Sequence, residues 1–271
     1  MKINSISAVG LFLICILLQI SCTSPEKRWK LSWVDEFETA GQPDSAKWDY
    51  DLGDGCPNVC GWGNNEMEFY TKDSKNVRTE NGFLIIEALK DSMGGKPYTS
   101  TRIVSRKKGD WLYGRIEVKA KLPRGKGTWP AIWMLSTEWK YGGWPASGEI
   151  DIMEHVGFDP GVVHGTLHSD KYNHIKQTQQ EGKITVSDCQ DSFHVYAVEW
   201  EENEIRFFVD EKMYHRVERN PQDDFKGWPF DQKFHLIMNI AVGGNWGGQQ
   251  GVDESIWPQR MEVDYVRVYE R

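Results

Sequence analysis

Three carboxylates crowd the stretch Gly148-Glu149-Ile150-Asp151-Ile152-Met153-Glu154-His155, which is otherwise mostly apolar. Acids are seldom crowded in apolar sequence, because burial and like charge both raise their pKa values. Side chains on a strand alternate, so Glu149 and Asp151 share a face with Met153 while Glu154 points away. One extra residue in a β-bulge, most simply at Ile152 or Met153, turns Glu154 to the face of the other two. Three acids then line one side of a sheet. That arrangement suits glycoside hydrolysis, in which one carboxylate attacks the anomeric carbon and one carboxylic acid protonates the leaving oxygen. A retaining reaction needs those two groups about 5–5.5 Å apart. With one residue absorbed in the bulge, the Cα atoms of Glu149 and Glu154 lie roughly 13 Å apart, so both side chains must lean over Asp151. Glu149 is then the nucleophile and Glu154 the general acid/base. Asp151 hydrogen-bonds the nucleophile and adds negative charge that keeps Glu154 protonated. The same spacing also fits an edge strand with a solvated acidic face, and spacing alone does not separate the two.

The rest of the chain must supply the sheet that holds these acids. No window shows a clean helical stripe, whereas short alternating runs recur. They fall at Lys30–Phe37, Phe83–Leu89, Arg102–Arg106, Tyr113–Ala120, Ala131–Leu135, Phe193–Trp200, Ile205–Val209, Phe234–Val242 and Val263–Tyr269. Turn signals separate them: Asn81-Gly82, Arg124-Gly125, Gly142-Gly143 and Glu181-Gly182. This is the pattern of an all-β, antiparallel sandwich. A chain of 271 residues is long enough for one large β domain, and no repeat, Pro/Ser-rich linker or charge block divides it.

Several segments, in order, resemble glycoside hydrolase family 16, in the bulged E-x-D-x-x-E form of its laminarinase-like branch. They are GWGNNEMEFYT (61–71), TSTRIVSRKKGDWLYGRIEVKAKLPRGKGTWPAIWML (99–135), the acid stretch, HGTLHSD (164–170), IMNIAVGGNWGG (237–248) and MEVDYVRVYE (261–270). The resemblance implies a β-jelly roll of two curved antiparallel sheets with a concave glycan cleft. It implies Gly-rich rim loops at 53–65, 123–129, 140–148 and 243–251. It also implies a retaining endo-β-glucanase that acts on β-1,3 or mixed-linkage β-1,3/1,4-glucan without a catalytic cofactor.

Further site residues follow from the resemblance. Trp129 and Trp144, each beside a Gly- or Pro-rich turn, are expected to stack on sugar. Trp133 alternates with apolar Ile132 and Met134, so packing is its competing reading. His168 is placed beside the acids, and Trp246 at the rim. Asn64, Glu66, Arg102 and Asn245 are expected to hydrogen-bond sugar hydroxyls; His155 and His164 are assigned no role. A structural calcium on the convex side would take backbone carbonyls of Glu36 and Gly82 and the Asp264 carboxylate. Two other readings stand beside this one: a galactan-cleaving enzyme of the same family, of the agarase or carrageenase kind, and a sugar-binding jelly roll without catalysis.

Composition bounds partners. The net charge is −8, and loss of Lys2 with a leader makes it more negative still. Such a chain has no bulk attraction for nucleic acid, anionic lipid or sulfated glycans, and a neutral glycan fits better. Thirteen tryptophans favour carbohydrate, since indole stacks on sugar faces as well as in cores. Residues 8–20 are apolar behind Lys2 and too short to span a membrane, as in a signal peptide. Cys22 after Leu18-Gln19-Ile20-Ser21 resembles a loose bacterial lipobox. The expected division is a leader over 1–21, a tether over 22–28 and a catalytic domain over 29–271. Lipid on Cys22 would hold a monomer at a bacterial cell envelope. Cys56 and Cys60 either staple a Gly-rich loop or stay unbonded; Cys189 is distant from both, which makes a metal cluster a poor reading.

Overall fold

A computed structural model describes residues 29–271, so the leader, Cys22 and the tether lie outside the described residues. In chain order the first strands are β1 (Lys30–Asp35), β2 (Asp49–Tyr50), β3 (Glu68–Tyr70), β4 (Val77–Glu80), β5 (Phe83–Ala88) and β6 (Tyr98–Ser100). Next come β7 (Arg102–Val104), β8 (Asp110–Trp111), β9 (Gly114–Lys121), β10 (Thr128–Ser136), β11 (Glu149–Glu154) and β12 (Val162–His168). The last are β13 (Gln180–Thr185), β14 (His194–Glu201), β15 (Glu204–Val209), β16 (Lys212–Glu218), β17 (Phe234–Val242) and β18 (Gln259–Glu270). Among the described residues, helix is confined to single 3₁₀ turns at Cys60–Gly63 and His174–Lys176.

Two large antiparallel sheets face each other as a jelly-roll sandwich. One runs β16-β15-β14-β9-β18-β5-β4, with β1 also on β18. The other runs β13-β12-β11-β10-β17-β7-β2, with β8 on β17, and carries the acid strand at its centre. Strands β3 and β6 form a small parallel pair beside it. Alternation explains the layers. On β9, Ile116, Val118 and Ala120 enter the core; on β17, Phe234, Leu236, Met238, Ile240 and Val242 meet them from the facing sheet. The intervening Ile237 is also buried, in a second cluster with Val104 and Leu135 under Trp133, Trp139 and Trp144. The catalytic sheet therefore has an apolar floor on its cleft face too.

One local expectation is corrected. Glu181-Gly182 is no turn but lies within β13, where Gly182 pairs with Gly165 and the His215 side chain sits where a Cβ would go. Absence of a side chain, rather than chain reversal, is what this glycine provides. The short β2, β3, β6 and β8 carried too few residues to show a period, and the structure adds them. Cys56 and Cys60 are disulfide-bonded at the head of the Cys60–Gly63 turn, while Cys189 is a buried free thiol.

Candidate active site

The bulge falls on the acid strand as the spacing requires. Along β10, Leu135, Met134 and Trp133 pair with Glu149, Ile150 and Asp151, whereas Ile132 and Ala131 pair with Met153 and Glu154. Ile152 has no partner in that ladder. Ile150, Ile152 and Met153 all pack in the core, and this anchors the slip that turns Glu154 to the face of Glu149 and Asp151. On the other side, β12 supplies His168, Thr166 and His164 opposite Glu149, Asp151 and Glu154.

Each acid has its own surroundings. Glu154 Oε1 accepts a hydrogen bond from Trp129 Nε1 at 3.1 Å. Trp129 packs edge-on against Trp246 at 5.5 Å, and Trp246 against His164 at 4.8 Å. His164 Nδ1 lies 2.5 Å from Glu181 Oε1. Asp151 is only 2 % exposed, and its Oδ2 stands 3.4 Å from His168 Nε2 without completing a hydrogen bond. His168 Nε2 is 3.9 Å from Glu149 Oε1. The loop carrying Trp144 is fixed by buried Gln232, which accepts from Ser136 Oγ at 2.6 Å and donates to the Ser147 carbonyl at 3.2 Å.

Burial dominates the electrostatics. It pushes Glu154 up to about 8, with the charge of Glu149 adding to the rise and the Trp129 hydrogen bond opposing it. Burial also pushes Glu149 up to about 7, opposed by hydrogen bonds from Trp144 and Asp151 and by the Arg102 charge. Asp151 rises well above the carboxylate range through burial, then through the charges of Glu149 and Glu154. The order suits a retaining pair: between the two values Glu149 is ionised while Glu154 keeps its proton. The hydrogen bond between Asp151 and Glu149 lowers Glu149 and raises Asp151. Among its neighbours, the charge of Glu149 adds most to the rise of Glu154. Burial, then His174, holds His168 down at about 4, so its imidazole is neutral.

The sugar-contact candidates divide into two groups. Trp133 faces the cleft, where its Nε1 donates to Asn239 Oδ1 at 2.7 Å. The Arg102 guanidinium is sandwiched between Trp133 at 4.7 Å and Trp62 at 4.4 Å. Trp144 leans on His174 at 5.1 Å. Asn245 clasps the opposite loop, accepting from Asn65 Nδ2 at 2.8 Å, and Asn64 donates to Glu66 Oε1 at 3.2 Å. Glu66 itself is buried in a network. Tyr70 donates to it at 3.2 Å, Asn239 donates to Tyr70 at 3.0 Å, and fully buried Glu68 accepts from the Val242 amide at 2.6 Å. Burial raises both carboxyls, Glu68 the more, and the neighbouring Glu66 raises it further. Sequence reasoning missed Trp62, Glu68, Tyr70, Asn239, His164 and Glu181. The period-2 spacing of Glu68 and Tyr70 with Glu66 was the available signal for two of them.

The positions considered for calcium meet beside Asp264, which is bulged out of the β18–β9 register. Strand β1 leads into Glu36 and the β4–β5 turn holds Gly82 along the same edge of β18. Asp264 Oδ2 is 2.8 Å from Lys119 Nζ, however, and Glu36 is held by Arg267 through two hydrogen bonds. Both carboxylates of this edge, Asp264 and Glu36, therefore already have cationic partners.

Comparison with known proteins agrees with this geometry. The family described as Glycosyl hydrolases family 16 matches residues 62–267. A beta-glucanase of Rhodothermus marinus is 51 % identical over 99 % of this chain and 96 % of its own length. The laminarinase structure from Rhodothermus marinus superposes with a TM-score of 0.86 at 55 % identity, covering 90 % of this chain and 98 % of that one. SCLam, a non-specific endo-β-1,3(4)-glucanase solved with a glucan fragment at its active site, gives 0.85 at 45 % identity, over 91 % of this chain and 96 % of its own. The acid strand, its bulge and these similarities together establish that the chain belongs to glycoside hydrolase family 16.

Proposed function

We propose that the protein is a retaining endo-β-glucanase acting on β-1,3 and mixed-linkage β-1,3/1,4-glucans. The observation that carries the reading is the bulge at Ile152, which puts Glu149, Asp151 and Glu154 on one face with unequal proton affinities. Glu149 attacks the anomeric carbon while Glu154 donates its proton to the leaving oxygen, and a glycosyl-enzyme ester forms on Glu149. Glu154, now ionised, takes a proton from water, and the hydroxide equivalent breaks the ester with net retention. Asp151 supplies a hydrogen bond to Glu149 that orients it and weakens as charge leaves the carboxylate. Trp133, Arg102 and Trp62 offer aromatic and cationic surface to sugar on one side of the acid strand, and Trp129 and Trp246 do so near Glu154. Neutral glycan is favoured because the acids are not matched by a cationic cleft.

Side-by-side product analysis on barley mixed-linkage glucan and laminarin tests the reading. Short oligosaccharides of retained anomeric configuration are expected from both polymers. No cleavage of either polymer, or inverted products, would overturn it.

Three finer readings belong with this one. Residues 29–271 form the catalytic unit. The apolar run 8–20 followed by Cys22 supports a lipid-anchored protein at a bacterial cell envelope. Calcium at Glu36, Gly82 and Asp264 is supported by their shared edge, and it requires Asp264 to exchange Lys119 for the ion.

A further inference from the structure

The nucleophile and two of its neighbours also make a donor set for a metal ion. Glu149, Asp151 and His168 each present one donor atom, and all three lie within 4.8 Å of one another. A four-coordinate ion with bonds of about 2.0–2.1 Å to nitrogen and oxygen has ligand–ligand edges of about 3.3–3.4 Å. The 3.4 Å separation of His168 Nε2 and Asp151 Oδ2 already matches such an edge. The 3.9 Å separation of His168 Nε2 and Glu149 Oε1 closes by rotation of the Glu149 carboxylate. Asp151 Oδ2 is buried, has no hydrogen-bond partner and is aimed into the set. Among the described residues, no lysine or arginine forms an ion pair with Glu149 or Asp151. The Glu149 side chain keeps 15 % of its surface exposed, which leaves the fourth position open to water from the cleft.

We propose that Glu149, Asp151 and His168 bind one divalent transition-metal ion of the zinc type, which inhibits the enzyme reversibly by occupying the nucleophile. One imidazole with two carboxylates favours zinc over calcium or magnesium, which seek six or more oxygens. His168 Nδ1 is buried with no partner to orient the ring. A missing partner of that kind weakens a metal site by about 10–100-fold, which suits a reversible inhibitory site better than a structural one. Metal binding stands on this geometry alone; only competition with glycan rests on the reading of Glu149 as nucleophile.

Calorimetric titration of Zn²⁺ into the chelator-treated protein tests the site. One ion per chain is expected, with affinity at least about tenfold weaker in both Asp151→Asn and His168→Gln. In activity assays Zn²⁺ is expected to raise the apparent KM at constant kcat, with reversal by EDTA. Because either substitution can disturb the strand, Co²⁺ is added to the unmodified protein as a separate measurement. Four-coordinate Co²⁺ should give strong visible absorption that Zn²⁺ bleaches. No visible band, binding that survives both substitutions, or a fall in kcat at constant KM would overturn the proposal. Metal binding in a protein that cleaves no glucan would support the metal site and count against the glucanase reading alone.

Discussion

Acidic residues line strands on both faces of the sandwich, and their partners could hardly differ more. On the outward face of the sheet opposite the cleft, Arg115 reaches Glu117 at 2.6 Å, Glu199 at 2.9 Å and Glu211 at 2.7 Å. Arg206 reaches Glu199 at 2.7 Å, Glu201 at 2.8 Å and Glu204 at 3.0 Å. On the cleft face, Glu149, Asp151 and Glu154 have indoles, an imidazole and one another. The first arrangement is how a strand keeps carboxylates without penalty, since each desolvated charge meets its opposite. The second leaves charge uncompensated in a dry place, which lowers stability and raises proton affinity together. A reaction that uses those protons accounts for such a strand.

The comparison breaks first at the acids themselves. Glu149→Gln and Glu154→Gln should each lower kcat/KM by roughly 10³-fold or more, because nucleophile and proton donor have no substitute. The same substitutions should stabilise the fold at alkaline pH. Both carboxyls are raised above their unfolded values, so the stability they contribute is fully present below about pH 4.5 and is lost as pH rises through about 7 and about 8. Differential scanning calorimetry should therefore show a higher Tm than the parent at pH 9 and little change at pH 4. A lower Tm at pH 9 would mean that the acids are compensated after all.

On the opposite face the signs reverse. Glu199, with 12 % of its side chain exposed, is shared by Arg115 and Arg206. Glu199→Gln should cost about 1–2 kcal/mol, between the values for exposed and buried pairs, and leave kcat/KM within about twofold. Urea denaturation at neutral pH measures the first and a standard glucan assay the second. A neutral effect on stability would show that the ladder of ion pairs is decorative.

How much of this was legible in the sequence depends on how far each cause reaches along the chain. The acid face was legible, because a bulge is the one local change that puts Glu149, Asp151 and Glu154 together, and Ile152 is where it falls. The two-sheet sandwich followed from alternation in runs such as Phe234–Val242, although that strand is buried on both faces and its alternation shows only in which side meets the core. The network from Glu68 to Trp133 was not legible as a whole. It passes from β3 through Tyr70 to Asn239 on β17 and then to β10, and sequence holds no record of which strands adjoin. Glu181 was hidden by Gly182, since a glycine after a polar residue reads as a turn unless the side chain that fills its space is known. The rise of Asp151 was equally out of reach, because it depends first on depth of burial and only then on its neighbours in the chain.

The smallest expected effect concerns an acid near Glu154 that does have a partner. Glu181, paired with His164 and 3.4 Å from Lys183, is the carboxylate next to the site that is lowered, first by its hydrogen bond with His164. Its charge raises Glu154, whereas the Trp129 indole lowers it. The basic limb of the pH profile of kcat/KM reports Glu154 in the free enzyme, and the acidic limb reports Glu149. Removing the like charge in Glu181→Gln should move the basic limb to lower pH by roughly half a unit or less. Removing the hydrogen bond in Trp129→Phe should move it to higher pH, and the acidic limb should stay in place in Glu181→Gln, because Glu181 is not among the groups that shift Glu149. Limbs that move together in Glu181→Gln would mean that the three acids titrate as one unit and that the separate roles of Glu149 and Glu154 arise only once glycan is bound. Opposite shifts of the basic limb in the two variants would place the division of labour in the unliganded strand, set by the two aromatic and acidic neighbours of Glu154 before any sugar arrives.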